Sequence, residues 1–247
     1  MAQTTRQRPA PWPEHRAAVL HGWERPIFAV KYVVEWIVYY LGRWGLLRIL
    51  EYSSFLSVLF AVAVYFNEAP DRKKQKHYQA WQVINTAQGK GGSGGRIEAM
   101  QELNADKIPL VGVMADHAFL QGVRLHNANL LRANFEASDL RDCSLEGAHM
   151  EFANLQYANF RNCDLRGAHL RDSDLESADM FAVNLAGADL SSADLKDVDL
   201  RYSDWKGVQW DGIQSMAGAN IFGVKNPPDG FVQWAIQHGA ASKKDDP

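Results

Sequence analysis

The residues that could do chemistry in this chain recur at one spacing. Cys143 and Cys163 are separated by the same interval as His149 and His169. Thiolates and imidazoles are zinc ligands, and two cysteines can also form a disulfide. Arg141, Arg161, Phe181 and Arg201 follow one another at that interval too, and Phe152, Tyr157 and Tyr202 lie in the same region. Arginine and aromatic side chains are enriched at protein interfaces. Gly89, Gly91 and Gly94 match G-x-G-x-x-G, the pattern that can cradle a phosphate. No nucleophile and base stand at a recognisable catalytic spacing.

What positions these groups is a period of five. From Ala118 the chain runs through 19 in-phase pentapeptides, centred on Leu120, Leu125, Leu130, Phe135, Leu140 and so on to Trp210. Two positions before each centre is a small or β-branched residue, and between them stands mostly Asn or Asp. A helix would spray such centres around its axis, and a strand would alternate them between faces. A chain that turns a corner every five residues keeps them all inside. Four corners close a coil of about 20 residues, and coils stack at the strand spacing of about 4.8 Å, so 19 repeats make a rod about 23 Å long. Asn and Asp suit the corners because they hydrogen-bond nearby backbone.

Strings such as "ANLLR", "ANFEA", "CDLRG", "ADLSS" and "ADLKD" resemble pentapeptide repeat proteins over about residues 108–224. The resemblance implies a right-handed quadrilateral parallel β-helix. Residues 71–112 also look like the membrane-linked bacterial members. The best-described relatives protect DNA gyrase by mimicking DNA, and the family brings no catalytic motif and no cofactor to carry over.

In such a coil, residues four repeats apart are vertical neighbours. Cys143 and Cys163 then stack in the small inward position, and the expectation is two buried free thiols. His149 and His169 stack on another side, and two ligands without a third make no zinc site, so no metal is expected. Glu146 should lie below Arg166, and Glu151 below Arg171. Arg141, Arg161, Phe181, Arg201, Tyr202, Phe152 and Tyr157 should point outward and are the candidate surface for a protein partner.

The ends differ from the rod. Residues 1–26 are polar, broken by four prolines, and read as a disordered tail without an export signal. Residues 27–69 read as apolar helices. Trp44–Phe66 would be the transmembrane span, about 34 Å long as a helix, although Arg48 and Glu51 leave only Tyr52–Phe66 free of charge. Arg72, Lys73, Lys74 and Lys76 then favour a cytoplasmic carboxyl side at a bacterial inner membrane. Residues 70–107 read as an amphipathic connector with a helix over 76–87, and the glycine run is a flexible joint, since no βαβ unit surrounds it. Arg96–Leu103 should cover the first coil. After the pattern decays at Ser215, a helix over Phe231–His238, N-capped by Asp229, should cover the last; residues 225–247 are this cap and a tail.

Charge excludes some functions. Residues 1–109 hold 14 Lys/Arg and 9 Asp/Glu, and residues 110–225 hold 10 and 17. An acidic rod without a basic stripe is no nucleic-acid binder. Eight of its acids fall at the Asx corner, where they have a structural use. A filled interior leaves no cleft for a small-molecule substrate. The expectation is a non-catalytic scaffold that meets lipid through residues 27–76 and a protein partner, a second copy of the chain included, through the rod. A DNA-mimicking gyrase regulator is the alternative.

Overall fold

The computed structural model describes residues 8–11, 25–43, 46–86 and 93–244. Most of the expected N-terminal tail, Trp44, most of the glycine joint and the last three residues fall outside them. Contacts divide the chain into two compact units, Met1–Arg72 and Lys73–Pro247.

The first unit holds helices α1 (Arg25–Arg43) and α2 (Leu46–Asn67), which touch each other. On α1, Trp36 stacks on Tyr40 at 5.3 Å and meets Tyr32 and Tyr39 edge-on. Residues three and four apart share a helix face, which is what gathers these rings. Helix α2 leaves Phe55, Leu56, Leu59, Phe60, Tyr65 and Phe66 exposed. Among the described residues, no helix is long and apolar enough to cross a membrane. The expected span over 44–66 is therefore not supported. Arg48 and Glu51 interrupt its first half, and the charge-free remainder reaches only about 22 Å against a hydrocarbon core of about 30 Å.

The second unit is the solenoid. Parallel bridges pair the position before each centre with its equivalent on the next coil, from Met114 with Asn134 to Asp189 with Gln209. A four-residue turn closes every repeat, as in the 3.0 Å bond from Val123 N–H to the Leu120 carbonyl. The third turn residue has positive φ throughout: 74° at Gly122, 58° at Asn162, 57° at Ala182. A side chain there is strained by about 1–2 kcal/mol, and the backbone bonding offsets it. In residues 140–144 every N–H has an acceptor. Leu140 and Asp142 donate up to Asn159 and Arg161, Cys143 to Leu140, and Ser144 down to Val123. The fifth, Arg141 N–H, donates to Oδ1 of Asp139 at 3.2 Å. That bond is why the repeat wants Asn or Asp before its centre: the residue after the centre has no backbone acceptor in reach.

The centres and the small residues two before them form the buried core, with Leu145, Leu165 and Leu185 stacked in one column at 0–1% exposure. The pattern does not decay at Ser215. Gln214 N–H donates to Ala193, while the Ser215 carbonyl accepts from Leu195, so two residues face Asp194 across the coil. This is a one-residue bulge. Beyond it Met216 and Ile221 return to the core, and the bridges resume with their offset lengthened by one, as Asp199 with Asn220.

Both ends are covered by helices. Helix α3 (Ala69–Thr86) is longer than the expected 76–87 at its start, with Pro70 in the first turn, where its missing N–H costs nothing. Its Ala80 and Ile84 are buried with Ala99, Met100 and Leu103 of α4 (Arg96–Ala105) beside the first coil. Lys73 Nζ and His77 Nε2 lie 2.9 and 2.6 Å from the Asp106 carboxylate, and the hydrogen bonds from His77 and Lys73 hold it below the usual carboxylate range. Arg96 is enclosed, and desolvation lowers its pKa against the pull of Asp116. At the far end Phe231 of α5 (Phe231–Gln237) stacks on Trp205 with centroids 4.1 Å apart, and Trp210 and Trp234 pack around it. The N-cap is Gly230 at φ 79°, not Asp229, because the turn needs a left-handed residue there.

The cysteines depart from expectation. Cys143 and Cys163 form a disulfide, with Cα atoms 4.6 Å apart. Parallel stacking brings vertical neighbours within the ordinary disulfide range, which the assumption of free thiols overlooked. The bond closes a loop of one whole coil, worth about 3 kcal/mol in the chain-entropy picture. Chain purified without reductant and unfolded in guanidinium is expected to titrate no thiol, and two after reduction. Two thiols in the unreduced sample would return the pair to the free state.

Candidate functional site

The expected outward residues divide into three places. Arg141, Arg161, Phe181 and Arg201 form one vertical column. The Arg161 and Arg201 guanidinium carbons stand 5.0 and 5.6 Å from the Phe181 ring centroid. Tyr202 lies edge-on between Phe181 and Phe222, at 5.3 and 5.7 Å. Phe222 was missed by the sequence reading, because the bulge carries it into this column beyond the point where the plain period stops. Phe152 and Tyr157 are exposed on two other sides of the coil, with Arg132 5.9 Å from the Phe152 ring. They do not join the column.

The arginines differ in availability. Arg141 is held by Asp139 at 2.6 and 2.8 Å, and that hydrogen bond lowers the pKa of Asp139 and raises that of Arg141. Arg161 Nε lies 2.6 Å from Asp179. Arg201 is 6% exposed; it grips Asp199 and donates to the Lys244 carbonyl at 3.1 Å. It ties down the C-terminal segment and is not an open docking residue. With Arg201 excluded, the usable strip is Arg161, Phe181 and Tyr202, with Arg141, paired and exposed like Arg161, one coil below.

The acidic residues are mostly spent. Oδ1 of Asp139, Asp164, Asp174, Asp179, Asp189, Asp194, Asp199 and Asp204 each accepts a backbone N–H two residues on. Glu146 pairs with Arg166 at 3.2 Å, as vertical stacking requires. Glu151 does not pair with Arg171, which turns to Asp189 at 3.2 Å. Instead Glu151 Oε1 lies 3.4 Å from His149 Nδ1. The His149 and His169 rings stack with centroids 4.4 Å apart and planes 1° from parallel.

A four-sided coil of pentapeptides, capped at both ends and lined with aliphatic centres, defines a pentapeptide repeat solenoid. The pentapeptide-repeat family profile matches residues 118–151, 143–180 and 178–209 in eight copies. Over this segment the chain carries the repeats that the pentapeptide repeat family profile describes. Among solved structures it is similar to a pentapeptide repeat protein of the Arabidopsis thaliana thylakoid lumen, at 17% identity over 46% of this chain and 79% of that one, TM-score 0.41. It is also similar to Rfr23 from the cyanobacterium Cyanothece 51142, at 33% identity over 40% and 64%, TM-score 0.24. A third is QnrB1, a plasmid-mediated fluoroquinolone resistance protein, at 13% identity over 54% and 81%, TM-score 0.23. No curated protein matches the chain.

Proposed function

We propose that this chain is a non-catalytic scaffold, attached to a bacterial membrane through residues 27–76 and presenting the Arg161–Phe181–Tyr202 side of a right-handed coil to a protein partner. The observation that carries the membrane reading is α2, whose large apolar side chains face solvent: Phe60 is 72% and Phe66 69% exposed. An exposed apolar surface of this kind marks a site of contact with a membrane or a protein. The Trp36 cluster on α1 is the kind of aromatic group that seats at a lipid headgroup boundary. A core filled by side chains leaves the rod its outer faces as working surface, which supports a binding role over catalysis. DNA mimicry needs a continuous negative field, and here the eight Asx carboxylates are engaged with backbone while Arg141, Arg166, Arg171 and Lys196 sit among them.

The cytoplasmic side expected from Arg72, Lys73, Lys74 and Lys76 rests on a membrane crossing, whereas the Cys143–Cys163 bond favours an oxidising compartment. Thiols trapped in intact cells separate the two: reduced cysteines place the rod in the cytoplasm, bonded ones outside it. For attachment, full-length chain is expected to stay with membranes washed in alkaline carbonate, and a Phe55→Glu, Phe60→Glu variant to be released. Complete release of the unaltered chain would overturn attachment through the apolar side chains of α2.

A further inference from the structure

The repeat's rule at the position before each centre is broken twice in one column. From Asn129 to Asp204 that position is Asn or Asp except at Ser144, His149 and His169. Imidazoles at 149 and 169 stand where an Asx oxygen elsewhere accepts a backbone proton. The two exceptions stack directly, as the His149–His169 bridge shows. On sequence alone the pair lacked a third ligand. The structure supplies it: Arg171 is drawn to Asp189, and the Glu151 carboxylate stands beside His149. One ligand atom from each of His149, Glu151 and His169 lies within 4.8 Å of the others.

We propose that His149, His169 and Glu151 form a site for a divalent transition cation of the zinc class, with water completing the shell. Zinc–nitrogen bonds near 2.0–2.1 Å in a tetrahedron set ligand atoms about 3.3 Å apart. The three groups close to that separation by side-chain rotation, because they lie on the outer face of the coil and none is locked into the core. Two imidazoles and a carboxylate suit Zn²⁺, Ni²⁺ or Cu²⁺ and discriminate against Mg²⁺, which prefers all-oxygen shells. Because His149 and Glu151 belong to one coil and His169 to the next, the ion would clip two coils together from outside.

Zinc titrated calorimetrically into untagged full-length chain tests the site. His149→Asn and His169→Asn restore the residue type the neighbouring turns use, so each is expected to fold, with unchanged circular dichroism. Each should weaken zinc by at least about tenfold, as loss of a metal-site partner does. Glu151→Gln should weaken it measurably, and His126→Asn, on a different side, should leave it unchanged. Magnesium should give no binding heat. Absence of zinc binding up to millimolar concentration, less than a tenfold loss at either histidine, or an equal loss at His126 would each overturn the site.

Discussion

Leu165→Asp is expected to unfold the repeat domain, and Leu165→Ala to lower its stability by roughly 2–5 kcal/mol. Leu165 is fully buried in the column between Leu145 and Leu185, far from either cap. Its neighbours above and below are held by backbone bonds between coils, Leu145 N–H to the Asp164 carbonyl at 2.8 Å and Leu185 N–H to the Asp204 carbonyl at 2.9 Å. Coils so tied cannot collapse into a vacated volume, so most of the cavity remains. An aspartate there would carry a charge into a column of aliphatic groups with no partner. The adjacent Arg166 is the control. It points outward, bonds Asp164 at 2.8 Å and Glu146 at 3.2 Å, and its side chain is 47% exposed. Exposed pairs of this kind contribute little. Arg166→Ala is therefore expected to leave the urea midpoint of the full-length chain nearly unchanged. Equal damage from Arg166→Ala and Leu165→Ala would show that the inside and outside of the coil are misassigned.

Phe231→Ala should be nearly as damaging, for a different reason. A solenoid buries each coil against the next, so its last coil needs a cover. Phe231 provides it, fully enclosed and stacked on Trp205, with Trp210 edge-on at 5.5 Å. Truncating an enclosed phenylalanine costs about 3–5 kcal/mol. It would also open the Trp205–Trp210 surface and the terminal backbone, which then become a template for a second chain. The variant is expected to show a lower urea midpoint and concentration-dependent association in light scattering. Val232→Ala, one residue on and exposed, should do neither. A Phe231→Ala chain that keeps its midpoint and its mass would mean that α5 does not serve as the cap.

The coil was legible from the residues because its rule is local. Each repeat supplies one small inward group, one Asx acceptor, one large inward centre and one left-handed turn residue, and the backbone bonds of residues 140–144 use each of them. The helices at the ends were legible for the same reason, since the apolar faces of Ala80 and Ile84, and of Phe231 and Ala235, recur at helical spacing; that Ala80 and Ile84 join Arg96–Leu103 in covering the first coil, and do not merely connect to it, was not. The continuation past Ser215 was not, because a single inserted residue hides the period while the bulge absorbs it in space.

The sequence by itself determined which side chains face inward, which groups stack, and that the corners need Asx, since all three follow from the period and the hydrogen-bonding needs of one repeat. Only the tertiary structure decided what the long outward side chains do. Around Arg171, Glu151 stands on the coil below and Asp189 on the coil above, and a rotamer choice sends the guanidinium to Asp189. That choice leaves Glu151 beside His149 and completes the three-ligand cluster. The C-terminal segment likewise encloses Arg201, which the period alone leaves on the surface. Stacking at the spacing of adjacent strands gives each outward group several partners at similar distance. Spacing therefore names the candidates, and only the packed rotamers select among them.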